Sequence, residues 1–460
     1  MNDKQELNEK KYILEAHKTV LQQQPSIDSI AQIPGSDTDQ LFENEKRKQT
    51  GLGYASFNYI NSIIGSGVIG IPFAFQQAGF GLGLVLLAVV ALVTDYSLRL
   101  MVRSAHICGS FSYSGIMAAA FGSTGFFLLS ALQFVYPFIA MVSYNVVVGD
   151  TVTKVLVRMF GLSSTALLAR RDFVVLLCTL SVTVPLCLQK DMARLARASM
   201  VSIFFVFFIL FTITLRFFTL FGVVPPTEDA FEFSNSGVIP AIGIMAFAFM
   251  CHHNVFLLYA SIEEATQEKW DKVTHYSVFA SFLVTVVFGL VGYTTFTGYV
   301  QGDLLENFCW DDDLMNLSRV VFSATILLTF PIECLVTRAV VEAVWGHLET
   351  ARAHRGVTLA IVMAAYLVSV STDCLGIVLE LNGVLAAVPL AFVLPAATYL
   401  KLCPGSVLSK DQLPALGVVV FGLCVALTGL YLIITQFGSV GSCTHGNLMW
   451  YCQTNSTSHS

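Results

Sequence analysis

Charge is what this sequence has least of. Asp, Glu, Lys and Arg make up 12% of its 460 residues, about half of what a soluble domain carries. That shortage excludes an ordinary soluble globular protein. No basic patch interleaved with aromatics appears, so a nucleic-acid surface is not expected. No CxxC pair finds a matching second pair, which argues against a structural zinc site. No nucleophile–base pair, metal cluster or cofactor motif is visible, so neither an enzyme nor an organic cofactor is expected. A channel fits poorly, because no span repeats a polar pore lining. A signal peptide is also missing. Residues 1–53 read as a polar, disordered tail of mixed charge, and the first apolar run is expected to direct insertion.

What the chain has in quantity is apolar length. It is 55% hydrophobic, with a mean hydropathy of +0.70. A helix needs roughly 20 apolar residues to cross a bilayer. Eleven runs approach that length: 54–77, 80–103, 124–155, 172–188, 198–221, 237–259, 274–296, 317–345, 356–375, 381–401 and 413–435. The chain therefore reads as an all-α polytopic membrane protein.

An odd number of spans puts the two termini on opposite sides. Lys46, Arg47 and Lys48, just before the first span, favour a cytosolic N-terminus. Arg338, Arg352, Arg355, Lys401 and Lys410 then fall inside, as do Lys190, Arg194 and Arg197. The acidic loop segments around Glu228 and Asp311 fall outside, together with the 436–460 tail. The glycosylation sequons at Asn316 and Asn455 share that side. Cys443 and Cys452 share it too, so a disulfide between them is expected. Cys309 lies in a polar loop with no assigned partner, while Cys178, Cys187, Cys251, Cys334, Cys374 and Cys424 read as small buried hydrophobes. One loop opposes the pattern, because Lys154, Arg158, Arg170 and Arg171 fall outside. The location expected is the plasma membrane, with a lysosomal one also compatible.

The informative stretch is "YINSIIGSGVIGIP", residues 59–72, which places Gly, Ser and Pro inside an apolar span. A helix broken within the membrane exposes N–H groups that suit a carboxylate and C=O groups that suit Na⁺ or an ammonium. Ile64, Gly65, Ser66 and Gly67 are therefore candidates for binding a small molecule with both groups, a free amino acid. Close helix packing through small residues is the competing reading. In transporters of this kind the sixth span mirrors the first. Here it carries "CHHN" in mid-span. His252 and His253 point about 100° apart, so one faces the pathway and the other packs on a neighbour.

"NSIIGSGVIGIP", "FAFMCHHN" and "LTFPIECLVTR" resemble the sodium-coupled neutral amino acid transporters of solute carrier family 38, in the amino acid/auxin permease group. The likeness covers roughly residues 50–437. It implies a leucine-transporter-like fold of two inverted five-helix repeats, 54–221 and 237–401, with an eleventh helix at 413–435. It also implies a sodium site from Asn61, the Ile64 carbonyl and Thr329, with Thr325 one turn away. Phe247, Ala248 and Phe249 would offer carbonyls to the substrate ammonium. Well-studied members carry prolines where this chain has His253 and Leu257, which leaves the second break without its usual cause.

The function expected is sodium-coupled transport of a small neutral amino acid by alternating access. Proton coupling or sodium–proton exchange through His252, His253 or Glu333 is the alternative. Glu333 can serve a cation or pair with Arg338. An amino acid sensor signalling through the N-terminal tail is the alternative from another class. The expected partners are the amino acid, sodium and the lipid bilayer.

Overall fold

The computed structural model describes residues 51–163, 165–188, 201–345, 351–372, 374–436 and 449–453. These residues form helices and no extended strand. Nine helices among them are long and apolar enough to cross a membrane. Two expected spans fall short of that length, and both are broken. The first comprises α1 (Leu52–Ile63) and α2 (Ile71–Ala78). The fourth comprises α5 (Arg171–Cys178) and α6 (Val184–Cys187), joined by a wide turn at Thr179–Thr183.

Between them lie α3 (Phe80–Cys108) and α4 (Tyr113–Phe160). α4 starts earlier than the apolar run at 124. A short amphipathic helix precedes the span and turns into it at Gly122, whose φ of 61° suits glycine. After α6 come α7 (Val201–Leu220), α8 (Val238–Ala248), α9 (Val255–Ser261), α10 (Gln267–Phe296), α11 (Asp313–Trp345) and α12 (Ala351–Ser371). The order ends with α13 (Leu375–Asn382), α14 (Leu394–Leu402), α15 (Leu413–Gln436) and the short α16 (Trp450–Gln453).

The apolar side chains divide by position. Phe204, Phe211, Leu427 and Ile434 are exposed along α7 and α15, as lipid-facing residues must be. Phe75, Phe249, Phe288, Phe330 and Phe392 are fully buried in one continuous core. Small residues let the buried backbones approach each other closely. The Cβ that Gly383 lacks would fall on the backbone of Gly243.

The four basic residues that oppose the topological pattern all have acidic partners. Lys154 pairs with Glu306 at 2.6 Å, Arg158 with Asp313 at 3.1 Å, Arg170 with Asp172 at 2.8 Å and Arg171 with Asp150 at 2.6 Å. Lys154, Arg158 and Arg171 reach carboxylates distant in sequence, while the exposed Arg170 pairs locally with Asp172. The sequence had given Asp150 no role.

One expected pairing is corrected. Cys452 is bonded to Cys309, with a Cα–Cα distance of 5.5 Å, rather than to Cys443. Tyr451 explains the choice. Its hydroxyl donates to the Asn307 carbonyl at 2.6 Å, and its ring lies 5.9 Å from that of Phe296. The C-terminal segment is thereby laid on the 300–312 loop, which carries Cys309. Cys374 is also disulfide-bonded, not a free buried thiol, and Cys424 is exposed. Cys443, Asn455, the N-terminal tail and the loop with Lys190, Arg194 and Arg197 lie outside the described residues. Non-reducing peptide mapping should recover a Cys309–Cys452 linked peptide. Cys452→Ser should cost about 2–4 kcal/mol of stability, and a thermal midpoint unchanged by that substitution would contradict the strap.

Asn316 is corrected as well. It is buried in the first turns of α11. Its amide donates to the Trp310 carbonyl at 2.9 Å and accepts from Arg319 at 2.6 Å. A glycan needs an exposed amide nitrogen, and this one is committed inside the fold.

Candidate functional site

The first break has a local cause. α1 ends at Ile63, and Ile64 (φ −78°, ψ 86°) and Gly65 (φ −115°, ψ −155°) are extended. One tight helical turn, Ser66–Gly70, follows before α2 restarts with Pro72 near its start. The Gly65 N–H donates to the Ile63 carbonyl at 3.0 Å, and the N–H groups that open such a turn lack helical partners. Gly65 is exposed, and a Cβ there would meet nothing within 4 Å.

The second break forms without proline. α8 stops at Ala248, and Phe249 leaves helical geometry at φ −97°, ψ 6°. Cys251 has φ −137°, and a short turn at His252–Asn254 leads into α9. Polar side chains at the unwound segment reach other helices. The Cys251 thiol approaches the Tyr59 hydroxyl at 3.5 Å, His252 Nε2 meets Ser97 Oγ at 2.7 Å, and Asn254 Nδ2 donates to Ser62 Oγ at 2.8 Å. Bonds to α1 and α3 thus hold the unwound backbone.

The two breaks touch each other. A Cβ on Gly67 would lie 2.7 Å from Ala248 Cα and 3.0 Å from Phe247 Cδ1. Ile64–Gly67 and Phe247–Phe249 are therefore brought together, as the sequence reading requires of a common site. Tyr144 of α4 is buried nearby, and its ring lies 6.3 Å from that of Phe330.

The sodium candidates are less assembled. Asn61 Oδ1 is buried with no hydrogen-bond partner. Thr329 Oγ1 donates to the Thr325 carbonyl at 2.9 Å, and Thr325 Oγ1 donates to that of Val321 at 3.0 Å. Both hydroxyls are back-bonded along α11, which leaves their oxygen lone pairs available to a cation. No hydrogen bond joins Asn61 to either threonine.

The histidines diverge. His252 is fully buried against Ser97. His253 lines a narrow cleft beside the second break, together with Gln133, Tyr136, Met250 and Glu333. Glu333 is 7% exposed and makes no ion pair with Arg338, which turns to Thr358 at 3.2 Å and Glu342 at 3.9 Å. Sequence reasoning missed Ser97, Gln133, Tyr136 and Tyr144. Gln133 alone had a visible signal, an amide inside an apolar run.

The 300–308 loop reaches the end of the first break. Gly302 abuts Gly376, and its carbonyl oxygen is 3.8 Å from where a Gly70 Cβ would sit. Burial and the neighbouring Glu306 push the loop carboxyl of Asp303 up to about 7.

Two broken helices meeting inside a helical bundle give the leucine-transporter-like fold. A mutant of the manganese transporter from Eremococcus coleocola has the same fold, with a TM-score of 0.52 at 13% identity over 95% of this chain and 96% of that one. The model of the transmembrane amino acid transporter protein family matches residues 48–435, and the chain belongs to that family. It is 44% identical to the zebrafish (Danio rerio) protein named "Putative sodium-coupled neutral amino acid transporter 11" over 90% of this chain and 92% of the relative. Identity to the human protein of that name is 42%, over 82% and 92%. A more distant relative is vacuolar amino acid transporter 2 of Saccharomyces cerevisiae, 26% identical over 90% of this chain and 88% of that protein. The family's members are transporters, and the chain is accordingly no enzyme.

Proposed function

We propose that this chain is a secondary active transporter of small neutral amino acids, coupled to sodium and working by alternating access. The carrying observation is the contact of two unwound segments at Gly67 and Ala248. One break offers N–H groups at Ser66 and Gly67 to the substrate carboxylate, while Gly65, whose own N–H donates to the Ile63 carbonyl at 3.0 Å, leaves room for it. The other offers carbonyls at Phe247, Ala248 and Phe249 to its ammonium. Asn61, the Ile64 carbonyl, Thr325 and Thr329 supply the hard oxygen donors that sodium takes. The sodium-coupled names of the relatives support the same reading.

In this reading the two broken segments count as spans, giving eleven crossings, a cytosolic N-terminus and an outer C-terminus. The Cys309–Cys452 bond suits an oxidising outer face. The side that carries the 300–308 loop is then the outside. Uptake of a labelled neutral amino acid panel into reconstituted vesicles tests the proposal, with and without a sodium gradient. Asn61→Ala and Thr329→Ala should each lower the sodium-driven component at least tenfold. Sodium dependence unchanged in both variants removes the assignment.

Proton coupling is the second reading. It is favoured by Glu333, which has no cationic partner among the described residues and shares its cleft with His253. Uptake that follows a proton gradient, ignores sodium and changes between pH 6 and 8 would select it.

A further inference from the structure

One buried residue holds a backbone conformation that its side chain disfavours. Thr297 directly follows α10, with φ 49° and ψ −123°. Glu264 and Thr297 are the non-glycine residues at positive φ among those described. Of the two only Thr297 is β-branched, the type for which such a φ is a genuine outlier. These angles belong to the first central position of a type II′ turn, where glycine is the usual occupant. An outlier of this kind persists only when its surroundings over-determine it. Thr227, in the loop that leads to α8, does so here. Its N–H and its hydroxyl donate to Thr297 Oγ1 at 3.1 Å and 3.4 Å, and its own Oγ1 accepts from the Gly298 N–H at 3.2 Å.

The turn joins two groups of helices. Before it, α10 packs on the first broken span. Ser277 Oγ donates to the Ser56 carbonyl at 3.2 Å, the Trp270 ring lies 5.2 Å from that of Tyr59, and a Cβ on Gly292 would lie 2.5 Å from Pro72 Cγ. After it, the loop is fastened to α4 and α11. Glu306 pairs with Lys154 at 2.6 Å, and Arg319 donates to the Leu305 and Phe308 carbonyls at 2.9 Å and 2.6 Å. The loop also touches α10, with Leu304 on Gly292 and Phe308 on Phe296, but those contacts are apolar and non-directional. Alternating access rocks one group of helices against another, so the few residues between the two attachments must absorb the change in φ and ψ. We infer that Thr297 is a strained hinge, clamped by Thr227, about which α10 and the first broken span turn against the loop, α4 and α11. The strain is present in this arrangement and is released on leaving it, which eases the passage to the next. The inference rests on the proposed transport by alternating access and adds the residue that bends.

The test compares Thr297→Gly with Thr297→Ala in the full chain. Both lose the hydroxyl, and they differ only by the Cβ. At an unstrained position alanine is the more stable of the two; at this φ glycine is. Hydrogen exchange is read by mass spectrometry on peptides spanning 298–308 of the purified proteins. It should be about fivefold slower in Thr297→Gly than in Thr297→Ala, the lower end of what relief of such strain gives, and the thermal midpoint should be higher. Thr227→Val, which loosens the clamp, should speed the same exchange relative to the parent. In reconstituted vesicles kcat for uptake of the neutral amino acid panel should be lower in Thr297→Gly by the same factor, because the relieved turn leaves its arrangement less readily. Faster exchange or a lower midpoint in Thr297→Gly than in Thr297→Ala overturns the strain and the inference with it, and a Thr297→Gly chain that fails to fold counts the same way. Slower exchange with equal kcat in the two variants overturns the hinge and leaves the proposed function standing. A parent chain that carries no neutral amino acid overturns the proposed function and takes the hinge with it.

Discussion

Gly67→Ala is expected to reduce amino acid uptake by about 100-fold, the loss that a displacement of about 1 Å at a reacting or binding centre produces. The added methyl would lie 2.7 Å from Ala248 Cα. That atom is backbone, so relief requires one broken helix to move away from the other. Overpacking of this kind costs about 1–3 kcal/mol, little enough for the chain to fold, yet the two half-sites would separate. Gly65→Ala supplies the contrast. Its Cβ would meet nothing within 4 Å and its φ of −115° is open to any residue. The thermal midpoint should hold while KM rises, because the methyl occupies space proposed for the ligand. The measurement is uptake against concentration, normalised to protein in the vesicle. Normal kinetics in Gly67→Ala would mean that the two breaks do not form one site.

Arg319→Met is expected to destabilise the protein by about 3–5 kcal/mol, the range for removing one partner of a buried ionic group. The guanidinium is fully buried. It donates to the carbonyls of Leu305 at 2.9 Å, Phe308 at 2.6 Å and Cys309 at 3.4 Å, and to Asn316 Oδ1 at 2.6 Å. Asp303, Glu306 and Asp312 are its acidic neighbours. One side chain therefore organises the loop that reaches Gly70 at the first break and carries Cys309. Arg319→Lys should recover part of the stability, since a point charge on a flexible stem cannot serve four acceptors in a fixed fork. Thermal unfolding of the purified variants checks both. A midpoint within a degree or two of the parent in Arg319→Met would show that the loop is held by other contacts.

The first break was legible because its signals are local. Gly65, Gly67 and Pro72 lie within a few residues of each other, and each disfavours a helix wherever the chain is placed. The second break carries no such residue. Its polar side chains bond to partners as far as 192 positions away, in Tyr59 and Ser62, and the chain order does not reveal those contacts. For the same reason the "CHHN" motif looked like one cluster of candidates. In the fold it fans out, with Cys251 and Asn254 on α1, His252 on α3 and His253 in the cleft. Successive residues on a helical path point about 100° apart, so adjacency in sequence became separation in space.

The cysteines and Asn316 show the converse error. Cys443 and Cys452 were paired because they are near each other and on one side. The packing of Tyr451 against Phe296 and Asn307 selected Cys309 instead, 143 residues away. Asn316 has the sequon, but a sequon reports nothing of burial, and Arg319 and Trp310 already hold the amide.

By itself the sequence determined the membrane class, the positions of the apolar segments, the first break and, through its motifs, the family. Each of these follows from runs of neighbouring residues whose hydrophobicity and backbone freedom act locally. Only the tertiary structure decided that the second helix breaks, that Gly67 meets Ala248, that Cys309 takes Cys452 and that Glu333 and His253 line one cleft. Those outcomes depend on contacts between distant segments, which form only when burial and pairing bring the helices together.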